Sequence, residues 1–309
     1  MTLLVFAAHG LGLLLLPSLF IGLLNRTKAV WAGRKGPPLF QSLFDALRLL
    51  RKHPIYSQVT TPIFQLGPLV LLASALVSSA FVPLFGGRAL LPFTLDFVVL
   101  AYLWGLGRVA LMLAALDTGS SFEGMGASRE ATYSALAEPV LFLALGALGL
   151  ATGRRSLDEM LHVNLSTLDG LVIGIASFVV LFIVVQVEGG RMPIDDPTTH
   201  LELTMIHEVM VLDHSGPELA FIQYASALKL TLSAAALATL INPMRGSGNA
   251  WATAATNLVL ILSVAILLGC VESLVARLKL RAIPQYLLAG FIAATVALLL
   301  AGWRVGAGA

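Results

Sequence analysis

Eight long apolar runs, broken by short polar segments, dominate the hydrophobic pattern of the 309-residue chain. A helix needs ~20 mostly apolar residues to cross a bilayer. Runs of that kind fall at about 2–24, 62–85, 90–116, 132–152, 168–188, 219–241, 250–271 and 283–303. Five of them have no charged residue in their interior. The third carries Asp96 and Arg108, the fourth Glu138 and the sixth Lys229. The pattern predicts an all-α integral membrane protein of about eight spans, read as one membrane domain over 1–309. The segment 25–61 forms one polar loop and 188–218 another.

Between the first two spans the period changes. Leu39, Phe40, Leu43, Phe44, Leu47 and Leu50 fall on one helical stripe, and Gln41, Asp45, Arg48 and Lys52 on the other. This predicts an amphipathic helix, lying either in the membrane interface or against its own bundle.

Composition agrees with lipid as the main solvent. The chain is 58% hydrophobic and 12% charged, with mean hydropathy +0.89. A soluble domain carries about a quarter charged residues. Nineteen Lys and Arg set the expected orientation. The loops after spans 1, 3, 5 and 7 hold twelve of them: Arg26, Lys28, Arg34, Lys35, Arg48, Arg51, Lys52, Arg129, Arg191, Arg277, Lys279 and Arg281. The opposite side holds five: Arg88, Arg154, Arg155, Arg245 and Arg304. Basic loops stay in the cytoplasm, so both termini are expected outside, in a multi-pass protein of the plasma membrane. The first apolar run is long enough to span, and no small-residue cleavage motif follows it.

Candidate chemistry concentrates in 188–218. Glu188, Asp195, Asp196, Glu202, Glu208, Asp213 and Glu218 stand there beside a single base, Arg191, and beside His200, His207 and His214. Carboxylates and imidazoles at a membrane surface suit proton relay, because their pKa values move toward neutrality. A solvated loop with capping carboxylates is the competing reading. The histidines recur every seven residues, but His207-Glu208 fails the zinc HExxH pattern because Val211 replaces its second His. Metal binding is not expected.

Charges inside spans are costly and usually face the bundle interior or a hydrated path. Arg108, Glu138 and Lys229 are therefore candidates, with a mutual ion pair or snorkelling as their structural alternative. Glu138 lies about one turn into its span, where snorkelling suffices, and Asp96 lies near an interface, where it can be solvated. Glu188 and Glu272 end their spans on the cytoplasmic side. The stretch 117–130 is rich in Gly and Ser without a nucleotide-binding pattern, and Ser128 is placed to cap the next helix. No nucleic-acid patch is present. The lone cysteine, Cys270, holds neither a cluster nor a thiolate zinc site, so any redox centre belongs to another chain.

Four stretches carry a likeness: GRKGPPLFQSLFDALRLLRK at 33–52, LDTGSSFEGMGASREATYSALAEP at 116–139, EGGRMPIDDPTTHLELTMIHEVMVLDHSGPELAF at 188–221, and the sixth span with Lys229. Together they resemble the membrane-arm subunit shared by respiratory complex I (NADH dehydrogenase subunit 1) and the energy-converting NiFe hydrogenases. The likeness is in particular to the formate hydrogenlyase subunit 4 and hydrogenase-4 membrane component branch. Arg34, Gly36 and Pro37 match the family's R-x-G-P, and Gln41, Asp45 and Arg48 its following Q, D and basic positions. Arg129 and Glu138 match its Arg and helix-4 Glu. Glu188, Arg191, Pro193, Asp195, Pro197, Glu202 and Leu203 match its loop signature, and Asp213, Ser215 and Gly216 the loop's end. Complex I usually reads P-E-A-E where this chain has Pro197-Thr198-Thr199-His200, and E-Y-S-G where it has Asp213-His214-Ser215-Gly216. These departures suit the hydrogenase-like branch, where no quinone is needed.

The resemblance implies a non-catalytic, proton-translocating anchor subunit at the junction of a peripheral redox arm and a membrane arm. Glu138, Glu188, Asp195, Asp196, Glu202, Glu208 and Asp213 would relay protons or transmit a conformational signal. Lys229 would join them as a midplane charge whose pKa burial lowers. Arg34, Arg108, Arg129 and Arg191 would be charge partners. Implied partners are hydrogenase-like large and small subunits, an iron–sulfur subunit and antiporter-like membrane subunits. Iron–sulfur clusters and the nickel–iron site would be theirs, with no cofactor in this chain. Two other readings remain: the quinone-site subunit of a complex I-like NADH:quinone oxidoreductase, and a stand-alone secondary transporter.

Overall fold

A computed structural model describes residues 2–195 and 205–307. Its helices are α1 (Thr2–Trp31), α2 (Gln41–Leu49), α3 (Pro62–Ser78), α4 (Asp96–Asp117), α5 (Ser121–Thr152), the single turn α6 (Leu157–Met160), α7 (Leu168–Glu188), α8 (Gly216–Ile241), α9 (Ala250–Leu274) and α10 (Ile283–Ala307). Short 3-10 turns occupy Glu208–Val211 and Leu280–Ala282. No strand occurs among the described residues. Seven helices are long and apolar enough to cross a membrane. The eighth, α3, has 17 residues, about 26 Å of helix rise against ~30 Å of hydrocarbon. Three successive hydrogen bonds, in which the Ser79, Ala80 and Phe81 amides donate to the Leu76, Val77 and Ser78 carbonyls, carry it on by about one 3-10 turn.

Local sequence sets the ends of these helices. Thr61 caps α3 by accepting from the Ile63 amide, with Pro62 at the first helical position. Thr167 accepts from Gly170 to start α7, and Asn249 accepts from Trp251 and Ala252 to start α9. Gly153, at φ 67°, closes α5 in the left-handed region. Between the ends, the long helices are apolar nearly all round, as helices in lipid are.

Lipid removes most of the hydrophobic drive between helices, so close packing of small residues matters more. The α3–α4 pair shows it. A Cβ on Gly107 would sit 2.4 Å from Ser74 Oγ, and one on Gly67 would sit 2.7 Å from the Ala114 Cβ. Helix α8 is the hub, touching α1, α2, α3, α7 and α9, and it is the most buried of the spans. Helix α10 packs on α5 and α7 at the periphery.

The helices alternate in direction, which creates two polar ends. At one, Tyr56 reaches Glu218, Thr61 reaches Asp117, and the Leu278 amide reaches the Pro193 carbonyl. At the other, which carries both termini, the Leu95 amide meets the Arg155 carbonyl, Asn257 meets the Leu84 carbonyl, and Arg245 donates to the Asp158 carbonyl.

Several local expectations change. Helix α5 begins at Ser121, not near 132, so most of 117–130 is helix. Ser128 lies inside it and donates to the Met125 carbonyl in place of capping. Asp96 is not solvated. It is fully buried and accepts from Leu157 N at 2.7 Å and Ser156 Oγ at 2.8 Å. Helix α2 has the predicted amphipathic period and lies against α1 and α8, yet none of its residues is fully buried.

Candidate functional site

Arg108 projects from the middle of α4 and is 8% exposed. Three carboxylates converge on its guanidinium. Glu130 of α5 lies 3.4 Å from Nε, Glu138 of α5 lies 2.9 Å from Nη1, and Glu188, the last residue of α7, lies 2.5 Å from Nη2. The other oxygen of Glu188 accepts from Lys229 Nζ of α8. The Lys229 ammonium also lies 5.4 Å from the Trp104 ring centroid, within cation–π range. Glu138 is therefore not a snorkelling side chain, and Lys229 is not an isolated midplane charge. Four helices close on one ionic cluster.

The cluster continues toward the loop after α7. His207 Nε2 lies 3.2 Å from Glu130, and its Nδ1 lies 3.4 Å from Asp195. Asp195 also accepts from the backbone amides of Ile206 and His207 at 3.2 and 3.0 Å, and from Arg277 at 3.1 Å. Gly190 makes this possible. It sits at φ +56°, and a Cβ there would lie 2.5 Å from His207 Nδ1, so a side chain would be strained and would displace the ring.

Electrostatics follows from the composition of the cluster. Glu130, Glu138 and Glu188 face the fixed charges of Arg108 and Lys229. A neutral His207 leaves one negative charge in excess, and a protonated His207 balances it. Burial opposes that protonation, but Glu130 and then Asp195 outweigh it, and the His207 pKa is held above the ordinary histidine value. For Asp195, burial pushes the carboxyl up, while His207 and Arg277 more than reverse it and hold its pKa low. A cavity of about 130 Å³ borders Arg108, Glu130, Glu188, His207 and Lys229, room for several waters.

The other predicted residues are distributed around this centre. Arg191 lies 3.6 Å from Glu272, whose second oxygen meets Lys28 at 2.8 Å, so this carboxylate belongs to a separate cluster joining α1, α9 and the loop. Glu208 is exposed and lines the cavity. Asp213 is exposed, and its amide donates to Glu123. Arg129 donates to the Met205 carbonyl at 2.8 Å. Arg34 is exposed, away from the Arg108 cluster, with no ion pair among the described residues. Asp196 and Glu202 lie outside the described residues, as does His200. His207 and His214 part company: His214 lies 3.4 Å from Glu218, stacks on Phe64 at 3.9 Å, and has its pKa lowered by burial. Among the described residues no set of His, Cys, Asp and Glu is arranged to hold a metal.

Sequence reading missed Glu130, Trp104 and Arg277, and missed the linking role of His207. One signal was available for Glu130. It stands eight residues before Glu138, and residues at i and i+8 share a helix face. Ending the span at 132 hid that relation and drew attention to Arg129, one residue and about 100° away.

The fold and site define a polytopic helical membrane protein with a shared ion cluster beside a polar cavity. Comparisons narrow the class. The NADH dehydrogenase family model matches residues 3–302, and the chain belongs to that family. It is 30% identical over 303 residues to hydrogenase-4 component C of Escherichia coli (strain K12), covering 96% of this chain and 95% of the relative. It is 27% identical over 285 residues to formate hydrogenlyase subunit 4 of the same strain, covering 88% and 90%. Its fold is similar to a chain of the membrane-bound sulfane sulfur reductase, an archaeal respiratory membrane complex, with TM-score 0.77, 20% identity and coverage of 94% and 96%.

Proposed function

We propose that this chain is the membrane-anchored, proton-translocating subunit of an energy-converting NiFe hydrogenase or formate hydrogenlyase-type complex, joining a peripheral redox arm to the membrane arm. The observation that carries the reading is the continuous run of charge from Asp195 through His207, Glu130 and Arg108 to Glu138 and Glu188. The run extends from the loop after α7 into the helix bundle. Relatives named as hydrogenase and formate hydrogenlyase components support the kind of complex.

The division of labour follows from side-chain chemistry. Arginine does not give up its proton in proteins, so Arg108 is a fixed charge and not a carrier. Protons move between His207 and Glu130 at the cavity and pass to Glu138 around Arg108, which sets which carboxylate stays ionised. A shift of the loop that moves Asp195 changes the charge on His207, and that change reaches Glu138 through Arg108. Glu188 and Lys229 hold the α7 and α8 side of the cluster in register. The polar end with α2 and the loop after α7 faces the cytoplasm in this reading, and both termini lie outside. With Cys270 its single thiol, the chain carries no redox centre of its own. Hydrogenase-like large and small subunits and an iron–sulfur subunit supply those centres, and antiporter-like subunits extend the membrane arm.

The test is Glu138→Gln in the assembled complex, reading redox turnover and proton movement together in sealed vesicles. The expected result is turnover within about twofold of wild type and proton movement lowered about tenfold or more, the scale on which a positioned proton carrier acts. Unchanged proton movement per turnover rejects Glu138 as a carrier.

A further inference from the structure

The end that carries both termini holds a cavity of about 590 Å³, between the last turns of α5 and α10 and the loops before α4 and α9. Few basic residues lie on this side, yet four of the five converge here: Arg88, Arg154, Arg245 and Arg304. Orientation rules disfavour arginine on this face, so their convergence needs another cause. The two acids of the cleft, Asp158 and Glu159, both act on Arg245 but leave four arginines facing two carboxylates. Asp158 accepts from Ser156 and from the Ala89 amide, and Glu159 pairs loosely with Arg154 at 3.7 Å. Arg88 and Arg304 have no ion pair among the described residues. Arg245 uses Nη2 on the Asp158 carbonyl, while its Nη1 is buried with no partner.

Exposed apolar side chains stand on α5 and α10 close in sequence to the cleft's arginines. Trp303 is 79% exposed beside Arg304, and Leu299 and Leu150 are also exposed. An aromatic residue next to an arginine at the end of a span marks the headgroup level of a bilayer. We propose that this cleft binds the phosphate of an anionic phospholipid, with its acyl chains lying along the exposed flank of α10. Arginine forks suit phosphate oxygens, and the cavity is of ligand size. The lipid would tie α5 and α10 to the loops. This inference does not depend on the hydrogenase reading.

The experiment uses the full chain, in the complex with which it copurifies, stripped of lipid in detergent. Native mass spectrometry and thermal unfolding are followed while phosphatidylglycerol, phosphatidylcholine or inorganic phosphate is added. Retention of phosphatidylglycerol over phosphatidylcholine, with a rise in melting temperature that inorganic phosphate does not reproduce, supports the proposal. The double variant R88Q/R304Q, at side chains outside the core, is expected to weaken phosphatidylglycerol binding about tenfold, and R88K/R304K to recover most of it. Equal retention of phosphatidylcholine, or unchanged binding by R88Q/R304Q, overturns the proposal. A melting shift produced by inorganic phosphate alone overturns the lipid as its source.

Discussion

Two buried carboxylates near opposite ends of the bundle, Asp96 and Glu188, are nearly equal in burial and opposite in design. Asp96 is held by neutral donors: the Leu157 and Phe93 amides and the Ser156 hydroxyl. Those donors are fixed by backbone, so the group has one arrangement, and it staples α4 to the turn before α6. Glu188 is held by two cations on different helices, Arg108 and Lys229, and Arg108 is shared with Glu130 and Glu138. Three acids share one guanidinium, so no one of them holds it alone. Burial alone does not separate an acid pinned by backbone amides from one that shares its cation with other acids. The chemistry of its partners does.

The contrast can be broken at its strongest point first. Arg108→Leu takes the shared guanidinium from buried Glu130 and Glu188 and from half-exposed Glu138, and removing one member of a buried ion pair costs roughly 3–5 kcal/mol. The expected outcome is a chain that unfolds far below wild type or fails to accumulate. A small loss, read by thermal unfolding in detergent, would show that those acids are not ionised together. Asp96→Ala comes next, at about 2–3 kcal/mol for stranded buried amides, with proton movement per assembled complex unchanged. Altered coupling in this variant would erase the distinction between the two ends.

Smaller effects sharpen the comparison. The folded pKa of His207 is raised above 6.5, so the stability it contributes is fully present below pH 6.5 and is lost as pH rises through the folded value. Thermal unfolding should therefore fall with rising pH above 6.5 in the wild type, and His207→Gln should flatten that limb. The Asp195 carboxyl, with its pKa held below 3.8, acts in the other direction. Its contribution is present above pH 3.8 and is lost as pH falls through the lowered value, so Asp195→Asn should flatten the acid limb. Least of all, Tyr56→Phe removes a 2.7 Å hydrogen bond to Glu218 at an exposed position. It should cost less than about 1 kcal/mol and leave coupling intact.

Much of the site was legible as residue types. Arg108, Glu138 and Lys229 stand out because a charge inside an apolar run is expensive wherever it ends up. Their mutual arrangement was not legible. Arg108 meets Glu138 across 30 residues and Glu188 across 80, and no local period encodes such a meeting. Glu130 went unread because it stands among polar residues that resemble a loop, although they continue α5 for three turns past the apolar run. His207 looked like one of three repeating histidines. The chain separates it from His214 by a 3-10 turn and gives each a different acid.

By itself the sequence determined the solvent and the approximate positions of the spans. These depend on run length and hydropathy, which are sums over neighbouring residues. Which acid shares which cation, and which acid is pinned by backbone amides, was decided only when the helices packed. Those contacts join residues remote along the chain, and their strength depends on distance and burial that no single segment possesses.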